Sequence, residues 1–160
     1  MRVSLEHPNQ PEAIALIAEL DAYQDTLYPA EARYALDMAS LPLPSVLFAV
    51  ARGSAGNAIG CGAIVLGQTY GEVKRMYVRP DARGAGAAGQ IINTLEVAAS
   101  SKGCRVLMLE TGPYQTEALA FSAKHGYTTC GPFGDYLAHP LSVFMSKRVG
   151  LGVVATEAQA

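Results

Sequence analysis

Val78-Arg-Pro-Asp-Ala-Arg-Gly-Ala-Gly-Ala-Ala-Gly89 is the stretch on which the fold of this chain turns. The residues before it, Gly71 to Val78, read as a β-strand. The residues after it, from about Gly86 to Ser101, read as a helix with Ile91, Ile92, Leu95 and Val97 toward a core. Lys102-Gly103 closes that helix, with a cation in the last turn and a glycine after it. A polar, glycine-rich loop thus joins a strand to a helix start. The first turn of a helix has unpaired N–H groups and the positive end of the dipole. Gly84, Gly86 and Gly89 let an anion approach those groups, and Arg83 adds a fixed, forked cation. A pyrophosphate is the simplest ligand for this chemistry.

Upstream, Val3 to Leu5 reads as a short edge strand. Pro11 to Leu27 reads as a helix on the spacing of Ile14, Ile17, Ala18 and Asp21. Tyr28-Pro29 interrupts it, because a residue before proline avoids the helical region. A second short helix is expected at about Ala30 to Met38, then the connector Leu41 to Pro44. Val46–Arg52, Ile59–Leu66 and Gly71–Val78 are spaced as an antiparallel meander. Downstream come a strand (Arg105–Glu110), a short helix (Thr116–His125) closed by Gly126, and two final strands (Tyr127–Cys130 and Leu141–Lys147). This order predicts an α+β fold with a mixed, largely antiparallel central sheet flanked by helices. One domain is expected over residues 1–148, followed by a loose tail over 149–160.

The 160 residues are 50% hydrophobic and 16% charged, enough apolar matter for one compact core. A formal net charge of -2 without a basic run excludes a nucleic-acid footprint, so an anionic ligand needs a local device. Cys61, Cys104 and Cys130 are sparse and odd in number, which fits buried free thiols rather than disulfides or a zinc site. No apolar run is long enough to span a membrane, and the cytoplasm is the default location.

Gly84, Gly86 and Gly89 also satisfy G-x-G-x-x-G, with Glu110 about where a ribose-binding acid would sit. Against a dinucleotide site stand the alternating character of the preceding strand, the long Arg79–Arg83 connection, and the short remaining chain. A purely structural glycine turn is the other reading.

Arg83, Gly86 and Ala88 match the signature of the GNAT superfamily of N-acetyltransferases, which this sequence resembles. Glu72–Pro80 is similar to the strand and loop entrance that precede that signature. Ala118-Leu-Ala-Phe121 with Lys124-His-Gly-Tyr127 is similar to the family's later helix and turn. The resemblance covers essentially residues 1–148, and Pro132–Tyr136 with Pro140–Met145 also resembles a subgroup of small bacterial members. It implies two neighbouring strands that splay apart and admit acetyl-CoA as co-substrate, with no metal. The backbone of Met76, Tyr77 and Val78 would pair with the pantetheine arm. The N–H groups of Gly84, Ala85, Gly86, Ala87, Ala88 and Gly89 would take the pyrophosphate. Gln115 stands where asparagine is common and would reach the cofactor.

The resemblance also implies an acetyl transfer to a small-molecule or protein amine, by direct attack. Glu72 is the candidate base, with Glu110 second. Alternation would put Glu72, Lys74 and Met76 on one strand face. Glu72 and Lys74 also read as a solvated cross-face ion pair. A backbone N–H of Met76 or Val78 is the candidate oxyanion donor. Ser122 stands where the family usually has a tyrosine that protonates the CoA sulfur, and Tyr114, Tyr127 or Tyr136 could substitute. That departure motivates an alternative, an acyl-CoA-binding module with little catalysis. Tyr23, Tyr28 and Tyr34 are candidates for the acceptor pocket, with helical packing the equally simple reading of all three, and a homodimer is expected by analogy.

Overall fold

A computed structural model describes residues 1–28 and 45–150 of the chain. The helix expected at 30–38, with Tyr34, and the tail beyond Gly150 lie outside the described residues.

The elements are β1 (Arg2–Leu5), α1 (Pro11–Asp25), β2 (Val46–Arg52), β3 (Ala58–Leu66), β4 (Gly71–Val78), α2 (Ala87–Ser101), β5 (Val106–Thr111), α3 (Thr116–Lys124), β6 (Thr128–Cys130) and β7 (Val143–Arg148). A single 3-10 turn, Pro80–Ala82, lies between β4 and α2. The strands form one sheet in the order β1-β2-β3-β4-β5-β7-β6. Every neighbouring pair is antiparallel except β4 and β5. The expected α+β sheet is therefore present, and its antiparallel order is not the doubly wound arrangement of a dinucleotide fold.

β2 shows how the sheet is covered. Val46, Phe48 and Val50 enter a core with Ala13 and Leu16 of α1. The alternate residues Leu47, Ala49 and Ala51 enter a second core with Ile91, Ile92 and Leu95 of α2. Period-two alternation between two covered faces makes the strand read as one apolar run. Leu119 and Phe121 of α3 pack on the α2 side.

Two helical faces differ from the sequence expectation. α1 buries Ala13, Leu16 and Leu20, while Ile14 is 52% exposed. In α2, Ile91, Ile92 and Leu95 are buried as expected, but Val97 is 62% exposed. A spacing of threes and fours fits more than one helical stripe when apolar residues crowd a helix, and packing selects one of them.

Alternation also fails within β4. Cys61 pairs with Tyr77 and Ala63 with Lys74, so Gly62 alone faces Arg75 and Met76. This is a β-bulge, and Arg75 at its centre has φ 60. The bulge exchanges the two faces. Glu72 and Lys74 pair with Val65 and Ala63 of the α1 side. Met76 instead joins Val73 and Val78 in the α2 core. Met76 therefore does not share a face with Glu72 and Lys74, because the extra residue shifts the phase by one.

Candidate active site

The parallel ladder between β4 and β5 is short. Gly71 pairs with Leu107 and Glu72 with Met108, and no pairing continues beyond. From Val73 onward the two strands diverge. Arg79 N–H donates to Ile59 O at 2.9 Å, which turns that N–H toward β3. Alternation then turns the N–H groups of Val78 and Met76 toward the opening. The Val78 carbonyl accepts a 2.9 Å bond from Arg83 Nε, fixing Arg83 at the mouth. A cavity of about 620 Å³ runs along this edge, lined among others by Met76, Tyr77, Val78, Arg83, Ala88 and Gln115. At its inner end lies a smaller space of about 120 Å³ between the strands, whose walls include Lys74, Arg75, Glu110, Gln115, Ser122 and Tyr127.

Left-handed backbone builds the loop at the mouth. Gly84 has φ 89 and Gly86 has φ 85, with no protein atom within 4 Å of a Cβ placed on either. Glycine is required there by conformation rather than by crowding. Ala85 lies between them, and Gly86 caps α2. The bond from Gln90 N–H to Gly86 O, 3.1 Å, opens the helix. The N–H groups of Ala87, Ala88 and Gly89 therefore have no acceptor within the helix. The Ala87 side chain is buried in the core, whereas Ala88 lines the large cavity. Gly89 has ordinary helical φ, and a Cβ there would only touch the His125 ring at 3.5 Å. Arg83 stands 6.0 Å from the Tyr77 ring centroid and 3.9 Å from Glu117, both within reach of solvent.

Two carboxylates lie on the α1 face of the sheet, on either side of the divergence. Glu72 sits at the last paired position of β4. Its Oε2 accepts a short hydrogen bond from the Tyr136 hydroxyl and lies 3.3 Å from Lys74 Nζ. Lys74 Nζ also donates to the Tyr136 oxygen at 3.3 Å. Glu110 lies on β5 beyond the last paired residue and borders the inner space, which Glu72 does not. Its Oε2 accepts a 2.9 Å bond from Ser142 Oγ. Burial pushes the Glu110 carboxyl above the usual carboxylate range and Glu72 adds to this, while the Ser142 bond and the Lys74 charge oppose it.

Tyr136 and Ser142 both belong to the β6–β7 connection, which an aromatic cluster anchors. Phe133 meets Tyr70, Tyr136 and Phe144 edge-on at 5.4, 5.0 and 5.7 Å between centroids. Neither hydroxyl carried a signal in the sequence as a carboxylate partner, because each lies more than thirty residues from its acid. The contact that Tyr28 makes with Tyr114 was not legible in the sequence. The Tyr28 ring stacks on Tyr114 at 5.5 Å and its oxygen accepts the Tyr114 N–H at 3.0 Å.

On α3, the Ser122 side chain is buried and borders the inner space. None of the three tyrosines considered as its substitute has a hydroxyl committed to that space. Tyr127 donates to Glu96 Oε2 at 2.9 Å, and Lys147 holds the other Glu96 oxygen at 2.8 Å. Burial and the Glu96 charge push the Tyr127 phenol far up, so it is a core group. Tyr136 serves Glu72, and Tyr114 is an exposed ring against Tyr28. Gln115 precedes α3 and its Oε1 accepts from Thr111 Oγ1 at 3.3 Å and Gly112 N–H at 3.2 Å, holding the β5–α3 turn beside both cavities. Cys61 is buried, and burial pushes its thiol up to about 12; Cys104 and Cys130 are half-buried. Among the described residues no cluster of His, Cys, Asp or Glu could hold a metal ion, and no helix is long and apolar enough to cross a membrane.

The profile of the acetyltransferase (GNAT) family matches residues 12–127. A protein of Azospirillum brasilense named "IAA acetyltransferase" is 44% identical over 147 residues, which is 91% of this chain and 95% of that protein. A crystal structure from Klebsiella pneumoniae, described as an acyl-CoA N-acyltransferase, superposes with a TM-score of 0.84 at 40% identity, covering 92% of this chain and 97% of that one. A GNAT-family acetyltransferase from Elizabethkingia anophelis, solved with acetyl-CoA bound, shares the fold at a TM-score of 0.64 and 15% identity, covering 92% and 97% of the two chains.

Proposed function

The chain belongs to the acetyltransferase (GNAT) family, and from that premise we propose that it transfers the acetyl group of acetyl-CoA to an amine of a small molecule or protein, by direct attack. The observation that carries this reading is the divergence of β4 from β5 after Glu72, which leaves Met76, Tyr77 and Val78 lining the opening. A free strand edge is what an extended amide chain such as pantetheine can pair with. The Gly84–Gly89 loop at the start of α2 and the Arg83 guanidinium fit a pyrophosphate at the mouth of the same opening.

Acetyl-CoA would supply the activated thioester. The remaining work falls to side chains and backbone of this chain. A Met76 N–H beside the inner space suits the carbonyl oxygen, on which negative charge grows as the amine attacks. Glu110 suits the proton that the amine must lose, because it borders that space and burial raises its pKa above the usual carboxylate range. Glu72 is engaged with Tyr136 and Lys74 and suits the task of holding that cation. Ser122 offers the departing sulfur a hydrogen bond; a serine hydroxyl is too weak an acid to give up a proton there. The name of the Azospirillum relative makes IAA one acceptor to try alongside amines.

The test is calorimetric titration with acetyl-CoA, with NAD as control, in wild type and Ala88→Trp. Ala88 lines the channel from a helical position, so the indole blocks the channel without backbone strain. Micromolar binding lost in the variant, followed by release of free CoA thiol with one member of an amine panel, supports the proposal. Tight binding with no thiol release across the panel leaves only a binding module, and no binding by folded wild type ends the reading.

A further inference from the structure

The β6–β7 connection supplies one hydroxyl to each carboxylate near the divergence. Tyr136 serves Glu72 and Ser142 serves Glu110. The second of these pairings has a direct bearing on proton transfer. We propose that Ser142 is a positioning residue for Glu110: its Oγ–H holds one carboxylate oxygen, so that the other is presented to the inner space as a base of set orientation and basicity. This rests on the reading of Glu110 as the group that takes the amine proton.

The geometry supports the assignment from both sides. Glu110 pairs in register with Phe144, so its side chain and the Phe144 ring share one face of neighbouring strands. Phe144 belongs to the aromatic cluster that fixes Phe133 and Tyr136, and Ser142 lies two residues before it. The Ser142 N–H donates to His139 O at 3.0 Å, which closes the turn that carries Ser142 into β7. A carboxylate is an acceptor only, so a single O–H donor aimed at Oε2 leaves Oε1 for the substrate. Such a bond favours the charged form of the acid. It thereby offsets part of what burial does.

Other titratable groups lie around Glu110. Glu72 and Lys74 act on it from β4, Tyr28 approaches from the residues after α1, and Tyr136 stands on the same connection as Ser142. Arg75, bound at 2.5 Å to Asp21 of α1, borders the same inner space. Ser142 differs from all of these in making a direct neutral hydrogen bond. Its removal alters the orientation and titration of Glu110 without changing any formal charge.

The experiment is an NMR titration of protein labelled at the glutamate carboxyl carbons, with signals assigned through Glu110→Gln and Glu72→Gln. In Ser142→Ala the Glu110 midpoint is expected to rise by about one pH unit, while Ser142→Thr stays near wild type and Glu72 does not move. With the acceptor found by the amine panel, the acidic limb of kcat/KM should rise by the same amount in Ser142→Ala. An unmoved Glu110 midpoint in Ser142→Ala overturns the inference. So does a joint movement of Glu72 and Glu110, which marks a displaced loop rather than a lost bond. Full turnover by Glu110→Gln brings down the reading of Glu110 as base, and the positioning role with it, whatever the titration shows.

Discussion

Replacing Gly112 with alanine should cost far more than a single methyl suggests. Gly112 follows β5 at the turn into α3, and its φ is not among the left-handed glycines, so alanine meets no backbone penalty there. The obstacle is Tyr28. A Cβ at Gly112 overlaps the Tyr28 hydroxyl and Cζ and stands 2.6 Å from Cε1. The ring must leave, and three contributions go with it. Tyr28 is only 8% exposed, and losing such burial costs about 1.5–3 kcal/mol. The stack on Tyr114 contributes about 0.5–1.5 kcal/mol. The bond from Tyr114 N–H contributes about as much again, roughly 0.5–1.5 kcal/mol. Partial re-burial of the displaced ring offsets some of this, which leaves about 2–4 kcal/mol, a large share of a typical domain's stability. Urea unfolding of wild type, Gly112→Ala, Tyr28→Ala and the double variant measures it. The two single changes should be strongly non-additive, the double variant falling close to Tyr28→Ala alone. A Gly112→Ala variant within about 0.5 kcal/mol of wild type, or an additive cycle, refutes the argument.

Three further outcomes follow from the same structure. The Arg52 guanidinium holds the Glu6 carboxyl down at about 2, and also binds Glu12 at 2.7 Å. A lowered acid stabilises above its unfolded pKa, so this contribution should disappear as pH falls from about 4.5 toward 2; Arg52→Met should remove that slope and, after solvent screening, about 1–2 kcal/mol at pH 7, read from melting curves against pH. Gly86→Ala forces a side chain onto φ 85 and should cost about 1–2 kcal/mol by urea unfolding, even without a ligand, whereas Gly89→Ala at an ordinary helical position should cost almost nothing. Tyr127→Phe removes a donor from Glu96 and should lower stability by about 1–3 kcal/mol in the same assay, while leaving acetyl-CoA binding unchanged.

Much of this architecture was readable from local chemistry. The Arg83–Gly89 loop was readable as a glycine-rich connection from a strand into a helix start, and both Gly84 and Gly86 adopt the left-handed conformation that glycine permits. The meander from β2 to β4 was readable from turn residues between apolar runs. The bulge was not, since Arg75 and Met76 look like any two residues of a strand, and only the pairing with Gly62 reveals the extra one. The exposed Ile14 and Val97 show the same limit for helices, where the neighbouring sheet decides which stripe is buried. Within the candidate site, Glu72 and Lys74 were visible as neighbours on one strand. The partners Tyr136 and Ser142 were not, because tertiary contacts across more than thirty residues leave no periodic trace.

The bulge at Arg75 makes β4 a strand with two phases. Before it, even-numbered residues look to the α1 side; after it, odd-numbered residues do, as Tyr77 and Arg79 show by their bonds to Glu19. A half-period slip of this kind lets one short strand act as a junction between two jobs written in opposite parity. Residues up to Lys74 can be exchanged to suit whatever lies against the α1 face, without touching the phase in which Met76 and Val78 address the channel. Deleting Arg75 would join Lys74 directly to Met76 in a strand of uniform rhythm, with Met76 and Val78 still toward α2 and Tyr77 and Arg79 still toward α1; what would vanish is the bulge itself and the Arg75 contact to Asp21.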